Sequence, residues 1–485
     1  MAEQMRYSRK QLHPLSLEQS EEFLQSGGVI MNAAAEKAHL RSEIAALVEQ
    51  YAALEYLPRQ FMAGQTAIPP SGKLIGADEI KNMVDAALDG WLTTGRFNQA
   101  FEKKMAEFMR VKHLLTVNSG SSANLLAVAA LTSDKLGARA LRRGDEVITV
   151  AAGFPTTVNP LLFYGLVPVF VDIELPGYNI DAGQIEAAIG PNTKAIVLAH
   201  TLGNPFDVGA VVNLARKYNL WLIEDCCDAL GSTYTPAVDL VDAQGKTMAA
   251  GLARHVGTFG DIATLSFYPA HQITMGEGGA VFTENSQLKR ILESFRDWGR
   301  DCFCEPGKDN TCRKRFDYQL GELPHGYDHK YTYSHAGFNF KITDMQASVG
   351  LAQLQRLPGF VGDRQRNFQV LRQGLAGLSE FLILPEATEH ANPSWFGFAM
   401  TLKQPRRREF IAFLQQKKID SRLLFAGNLI RQPYFAGREF RQVGELPVTE
   451  TVMNQALWIA CYPGLNRDML DYMIVSIKEF FTGRP

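Results

Sequence analysis

The sequence predicts an α/β fold on a mostly parallel central sheet, with a helical extension before it and a smaller α/β domain after it. Three observations point there. Between residues 113 and 285, short β-branched runs alternate with helix-length stretches, as strands do when crossover helices join them. Residues 21–56 are rich in Ala, Leu and Glu, with an apolar side chain every three or four positions, which predicts helix. The chain has 485 residues, and at about 100–200 residues per domain that is about two or three domains.

The elements follow in order. Ile68, Pro69, Pro70, Ser71 and Gly72 break the helical pattern, so residues 1–68 are read as the extension. Ile80, Met83, Val84, Ala87, Leu88 and Trp91 then share one helical face, with Asp78 as candidate cap. Strands are predicted at 146–150, 167–171, 195–199, 221–223 and 280–283; a short apolar run at 114–117 comes before a strongly helical stretch at 125–131. Sheets of this kind bind ligands at the carboxyl ends of their strands, which gives weight to polar residues just past a strand. Residues 234–258 lack periodicity and read as an excursion. The large domain is placed at 69–365 and the small one at 366–485.

Composition narrows the function. Hydrophobic residues make up 46% and charged residues 21%, which is globular rather than disordered. Lys plus Arg is 49 and Asp plus Glu is 51, so no global field favours nucleic acid or an acidic membrane. No run approaches the roughly eighteen apolar residues of a membrane span. The first residues hold no apolar signal core, so the expected location is cytoplasmic. Six cysteines are too few for a disulfide scaffold, yet three of them fall within 302–312.

Four motifs carry chemistry. Residues 118–124 (Asn-Ser-Gly-Ser-Ser-Ala-Asn) lie between that apolar run and the helical stretch, where small residues let backbone amides face a phosphate; the plainer reading is a Ser/Asn cap. Strand 221–223 runs into Glu224, Asp225, Cys226, Cys227 and Asp228, and a carboxylate there can hold a proton on a heterocyclic nitrogen or cap the next helix. Residues 266–279 read Ser-Phe-Tyr-Pro-Ala-His-Gln-Ile-Thr-Met-Gly-Glu-Gly-Gly. Finally, Cys302, Cys304 and Cys312 form C-x-C-x₇-C. Together with an upstream thiol they can bind a 2Fe–2S cluster or zinc, although zinc loops usually show C-x₂₋₄-C.

Together these motifs resemble the nucleotide-sugar aminotransferase family, the sugar-modifying branch of fold-type I pyridoxal-phosphate enzymes. The resemblance covers roughly residues 70–480. Family members read S-F-x-x-x-K-x-x-x-x-G-E-G-G, where the Lys carries the cofactor. Here His271 stands in its place, and no lysine lies between Lys246 and Lys289. An imidazole cannot tether the aldehyde, but with its usual pKa near about 6.5 it can move a proton on and off carbon. The pattern is similar to the family's sugar 3-dehydratases. Those with an iron–sulfur cluster share C-x-C-x₇-C, with their fourth ligand in an upstream E-D-x-C-D motif.

That resemblance implies the fold-type I architecture, related to aspartate aminotransferase, and a set of roles. His271 is the base, flanked by Asp228 and Tyr268. Asp225 takes the pyridine nitrogen of pyridoxamine phosphate, and Gly120, Ser121 and Ser266 take its phosphate. Phe154 stacks on its ring. Asn339 reaches the phosphate from the second subunit of a homodimer, with Lys341 where the family often has Arg. Cys227, Cys302, Cys304 and Cys312 hold a 2Fe–2S cluster, with Cys226 a spare and Cys461 plain core. The implied reaction is removal of the C3 hydroxyl from a nucleotide-linked 4-keto-6-deoxyhexose, with CDP as nucleotide, on the way to the dideoxysugars of lipopolysaccharide O-antigen. Electrons come from an NAD(P)H-dependent flavin and iron–sulfur reductase. A cluster-free, glutamate-dependent 3-dehydratase and a TDP-sugar 3-dehydratase are the alternatives. A plain aminotransferase and a non-catalytic scaffold are also weighed.

Overall fold

The computed structural model describes residues 27–56, 60–302, 304, 307–308 and 310–483. The part of the expected extension at 1–26 lies outside them. The chain divides into two compact units, Met1–Leu57 and Pro58–Pro485. The described part of the first is a 29-residue helix, Gly27–Glu55.

The second unit is built on an eight-stranded sheet. Five strands come first: β1 (His113–Val117), β2 (Glu146–Val150), β3 (Val167–Val171), β4 (Thr193–Ala199) and β5 (Trp221–Asp225). The segment read as an excursion forms two small ladders. In one, β6 (Thr233–Tyr234) pairs with β9 (Arg254–His255); in the other, β7 (Leu240–Val241) pairs with β8 (Thr247–Met248). The chain then returns as β10 (Ile262–Ser266) and β11 (Gly279–Thr283). The C-terminal strands are β12 (Leu382–Ile383), β13 (Ala391–Asn392), β14 (Gly397–Leu402), β15 (Ser421–Arg422), β16 (Arg441–Gln442) and β17 (Ala456–Ala460). The large sheet runs β1-β11-β10-β5-β4-β2-β3-β16. Its pairings are parallel except at β11, which is antiparallel to both β1 and β10.

The sheet is buried on both faces, and its side chains alternate between two cores as a strand requires. Leu222, Leu198 and Leu265 enter one core; Ile223, Val197 and Val281 enter the other. The helix Gly120–Leu131 is apolar around its circumference because it packs between the sheet and further helices. β10 is a strand that composition did not signal. Its Ala263 and Leu265 point into the first core, which leaves Thr264 and Ser266 on the opposite face.

Glu224 anchors the return into β10. It is fully buried, and its carboxylate accepts from the amides of Gly257 (2.8 Å), Phe259 (2.9 Å) and Gly260 (2.6 Å) and lies 3.1 Å from His200 Nε2. Burial opposes its charge, but His200 and the amides outweigh that and hold the carboxyl below its usual range.

The expected helix near 80 spans Ala77–Leu88. Gly76, not Asp78, precedes it, and Glu79 Oε2 accepts from the Gly76 amide at 2.8 Å. Trp91 lies past its end and donates its indole N–H to Thr94 O at 2.8 Å. The long helix Asp344–Leu375 starts in a capping box between Thr343 and Gln346 and leads to a second sheet, β12-β14-β17-β15. That sheet carries a third core around Phe398, Met400, Leu457 and Ile459. Ile68 belongs to the same core and bridges to Ile419. Among the described residues no helix is long and apolar enough to cross a membrane.

Candidate active site

The carboxyl ends of β5 and β10 and the start of the helix Gly120–Leu131 meet at one place. Asp225 closes β5 and is 5% exposed. Its Oδ2 accepts from Asn124 Nδ2 at 2.7 Å and Thr157 Oγ1 at 2.8 Å. Its Oδ1 accepts from the Cys227 amide at 3.1 Å and lies 3.4 Å from Thr264 Oγ1, whose proton goes to Asn124 Oδ1 at 2.6 Å. All of these neighbours are neutral. A buried carboxylate held in place without a cation is incomplete, because the interior charges heavily for an unpaired ion. It suits a ligand that brings a protonated ring nitrogen.

The anion loop lies beside it. Ser119 caps the helix by accepting from the Ser122 amide at 3.0 Å, so the plainer cap reading and the phosphate reading share this turn. Gly120 faces Ser266, and a Cβ on it would fall 2.5 Å from Ser266 Cβ and 3.0 Å from Cys227 Sγ. Ser121 is exposed in the first turn. Asn118 Oδ1 is buried without a partner. The space that Gly120 keeps open, next to a helix N-terminus and the Ser266 hydroxyl, fits a phosphate. Gly120→Ala is expected to weaken cofactor binding by about 100-fold, since loss of the cradle costs several charge-assisted bonds at once. Equilibrium titration of the cofactor-free protein with pyridoxamine phosphate measures it.

His271 sits on the turn between β10 and β11, its amide donating to Tyr268 O at 3.0 Å. Its Nδ1 is buried, lies 3.4 Å from Asp228 Oδ1 and makes no well-formed hydrogen bond. Phe396 packs against the imidazole at 5.2 Å between ring centroids, and Tyr268 stands at 6.4 Å, half exposed. Phe154 precedes the helix Pro155–Phe163, is 51% exposed, and meets Phe425 edge-on at 6.0 Å.

Asn339 is exposed, and the next residue, Phe340, accepts the Asn118 amide through its carbonyl at 2.8 Å. Lys341 Nζ lies 3.4 Å from Asp297 and over the Trp298 ring at 3.6 Å, and burial pulls its amine below the usual range.

The thiols fall in two places. Cys227 lies at the Gly120 cradle, where burial, then Asp225, pushes it well above its ordinary value. Cys302, Cys304 and Cys312 share one loop: Cys302 Sγ accepts from the Cys304 amide at 3.5 Å, and Cys312 Sγ lies 3.4 Å from His329 Nε2. Among the described residues, the one trio of metal-competent atoms within 4.8 Å is His200, Glu224 and Cys226. That trio is already hydrogen-bonded, with His200 Nδ1 accepting from the Phe206 amide at 3.4 Å. Among the described residues the four-sulfur set expected for a cluster is therefore not drawn together. Cys461 is buried core, its thiol pushed up to about 12 by burial.

Sequence reasoning missed Asn124 and Thr157 as holders of Asp225, Phe396 against His271, and Gln272 and Arg364 beneath it. Asn124 lay inside a quoted motif, so a polar residue one helical turn past the anion loop was the available signal. Gln272 likewise lay inside a motif, next to His271, while Thr157, Phe396 and Arg364 carried no signal.

The model of the DegT/DnrJ/EryC1/StrS aminotransferase family matches residues 73–478. The Salmonella typhimurium "Lipopolysaccharide biosynthesis protein RfbH" is 62% identical over 446 residues, covering 91% of this chain and 98% of that protein. A Saccharopolyspora spinosa protein named dTDP-4-dehydro-2,6-dideoxy-D-glucose 3-dehydratase is 50% identical over 423 residues, 87% of this chain and 88% of its own. Among solved structures, the E. coli GDP-4-keto-6-deoxy-D-mannose-3-dehydratase with bound hydrated PLP superposes with a TM-score of 0.73 at 24% identity, covering 86% of this chain and 100% of that one. The architecture is that of the fold-type I, aminotransferase-like α/β proteins.

Proposed function

The chain belongs to the DegT/DnrJ/EryC1/StrS aminotransferase family, and from that premise we propose that it removes the C3 hydroxyl of a nucleotide-linked 4-keto-6-deoxyhexose, using pyridoxamine phosphate held without a covalent tether. It is an enzyme, a nucleotide-sugar dehydratase of the pyridoxal-phosphate class. One observation carries the reading: the side chain where the family's lysine belongs is an imidazole, facing Asp228 at 3.4 Å and packed on Phe396.

When bound, the cofactor supplies an amine that joins the C4 ketone and a ring that accepts electrons. The chain does the rest. Asp225 holds the proton on the ring nitrogen. The amides at Gly120 and Ser121, with the Ser266 hydroxyl, hold the phosphate, and Phe154 covers the ring. Asp228 faces His271 Nδ1, which leaves Nε2 to take a proton from the aminomethyl carbon. Tyr268 stands at the mouth, where a phenol can donate to the departing C3 oxygen. Asn339 is assigned to a neighbouring subunit's phosphate, which requires a homodimer.

The preferred substrate is the CDP-linked 4-keto-6-deoxyglucose, feeding lipopolysaccharide O-antigen. The Saccharopolyspora relative, named for a dTDP sugar, supports the dTDP-linked counterpart as a second reading. Turnover of CDP-, dTDP- and GDP-linked 4-keto-6-deoxyhexoses, with C3 deoxygenation followed by NMR, tests the reading. Amino transfer to C4 without loss of the C3 oxygen overturns it.

The return half of the cycle has two routes. The gathering of Cys302, Cys304 and Cys312 on one loop supports a 2Fe–2S relay fed by a flavin and iron–sulfur reductase. The separate seat of Cys227 and the dehydratase relatives favour a cluster-free route that regenerates the amine with glutamate. Iron and sulfide assay of anaerobically prepared protein separates them. For the relay, Cys304→Ser is expected to lose the iron and the reductive half while C3 dehydration persists within about threefold, a bound set by the usual independence of distant sites. Absence of iron from the wild-type protein, with glutamate-supported turnover, decides for the second route.

A further inference from the structure

Arg364 lies in the helix Asp344–Leu375 and is fully buried, the largest such side chain among the described residues. Among the described residues no carboxylate bonds to it. Its Nη1 donates to Trp395 O at 3.0 Å and Phe396 O at 3.3 Å, and its Nη2 donates to His271 O at 3.2 Å. Its Nε is buried and has no partner among the described residues. Burial pulls the guanidinium below its ordinary value, and the charge at Asp228 offsets this only in part.

An arginine this deep, spent on three carbonyl oxygens, is a costly way to brace a loop. A planar fork, however, can fix two chain segments against each other at once, as a flexible ammonium cannot. The two segments here are the one that carries the imidazole and the one that carries the ring packed on it. The neighbouring residue completes the tie: Gln272 Nε2 donates to Asp228 O and, at 3.0 Å, to Ser394 O. Three stretches separated in sequence, around 228, 271 and 395, are thus locked by two adjacent side chains. The His271–Asp228 contact itself stays at 3.4 Å without hydrogen-bond geometry, so the frame rather than that contact sets where the ring points.

Resting on the dehydratase reading above, we propose that Arg364 is a positioning residue, with Gln272 as its second strut, and that its fork sets the imidazole of His271 against Asp228 and Phe396 for proton transfer. Arg364→Met is expected to lower kcat for C3 dehydration by about 100-fold, and Arg364→Lys by about tenfold, since roughly 1 Å of misplacement carries that scale of loss. KM for the nucleotide sugar and affinity for pyridoxamine phosphate stay within twofold in Arg364→Lys. The deuterium isotope effect on kcat, with label on the aminomethyl carbon, rises as proton transfer becomes limiting.

A second readout needs neither cofactor nor turnover. In cofactor-free protein labelled with ¹⁵N-histidine, the His271 ring gives one set of signals in wild type, and Arg364→Lys broadens or doubles that set while leaving the other histidines in place. Should Arg364→Met not fold, Arg364→Lys carries both measurements. The proposal is overturned if the Lys variant keeps wild-type kcat and ring signals, or if kcat, KM, cofactor affinity and Tm all decline together. A wild-type protein that deoxygenates no sugar sinks the dehydratase reading instead, while the ring signals still decide whether Arg364 orders His271.

Discussion

His271→Asn is expected to abolish C3 deoxygenation while leaving pyridoxamine phosphate in place. The amide is near the imidazole in size and can still face Asp228, so the pocket stays filled, but it cannot take a proton from carbon. General base catalysis is worth about 10² to 10⁴ in rate, so turnover falls by roughly 10³-fold. Cofactor content should hold, because the groups assigned to the ring and phosphate are those of Asp225, Gly120 and Ser266, none of which the substitution removes. Exchange of the aminomethyl hydrogens with solvent deuterium isolates the step and should stop with the mutation. Turnover near wild type would remove the imidazole from the chemistry and with it the reason to call the chain a dehydratase.

The fold was legible wherever burial was uniform. β2 to β5 are apolar runs buried on both faces, and their limits match the predicted strands closely. β10 was not legible as a strand, because Thr264 and Ser266 make one of its buried faces polar for the site, which interrupts the apolar run. The helix Gly120–Leu131 begins five residues earlier than its apolar run at 125–131, since the small residues of the anion loop form its first turn. The predicted strand 221–223 marked a run of acidic residues at a ligand-binding edge, and the family resemblance singled out Asp225 among them. Its holders could not be picked from the sequence, because Thr157 is 68 and Asn124 is 101 residues away, and chain folding alone brings them together. Arg364 donates across 93 positions to His271 O, and nothing local in its helix marks it. Spacing did place three thiols on one loop, but it carries no information on how far that loop lies from Cys227.

Asp225→Asn is the second large effect, and it follows from charge rather than shape. Asn124 Nδ2 and Thr157 Oγ1 both donate to Asp225 Oδ2, and the Cys227 amide donates to Oδ1. An amide at this position can present its oxygen to only one side. Turned toward Asn124 and Thr157, its NH₂ faces the Cys227 amide; turned the other way, it faces two donors. Either pose leaves a buried donor without an acceptor, at about 1–3 kcal/mol. Neither pose supplies the negative charge that keeps a ring nitrogen protonated, and electrostatic stabilisation aimed at developing charge is worth about 10²–10³ for a single group. Dehydration is therefore expected to fall by roughly 10³-fold, with cofactor affinity down about tenfold as the smaller consequence. The two losses separate in a titration followed by single-turnover kinetics at saturating cofactor. Asp225→Glu keeps the charge but adds a methylene in a space that is 5% exposed, so it should bind poorly yet turn over faster than Asp225→Asn once loaded. The reverse order, with the amide faster than the longer acid at saturation, would show that the site needs a polar wall at the end of β5 and not an anion.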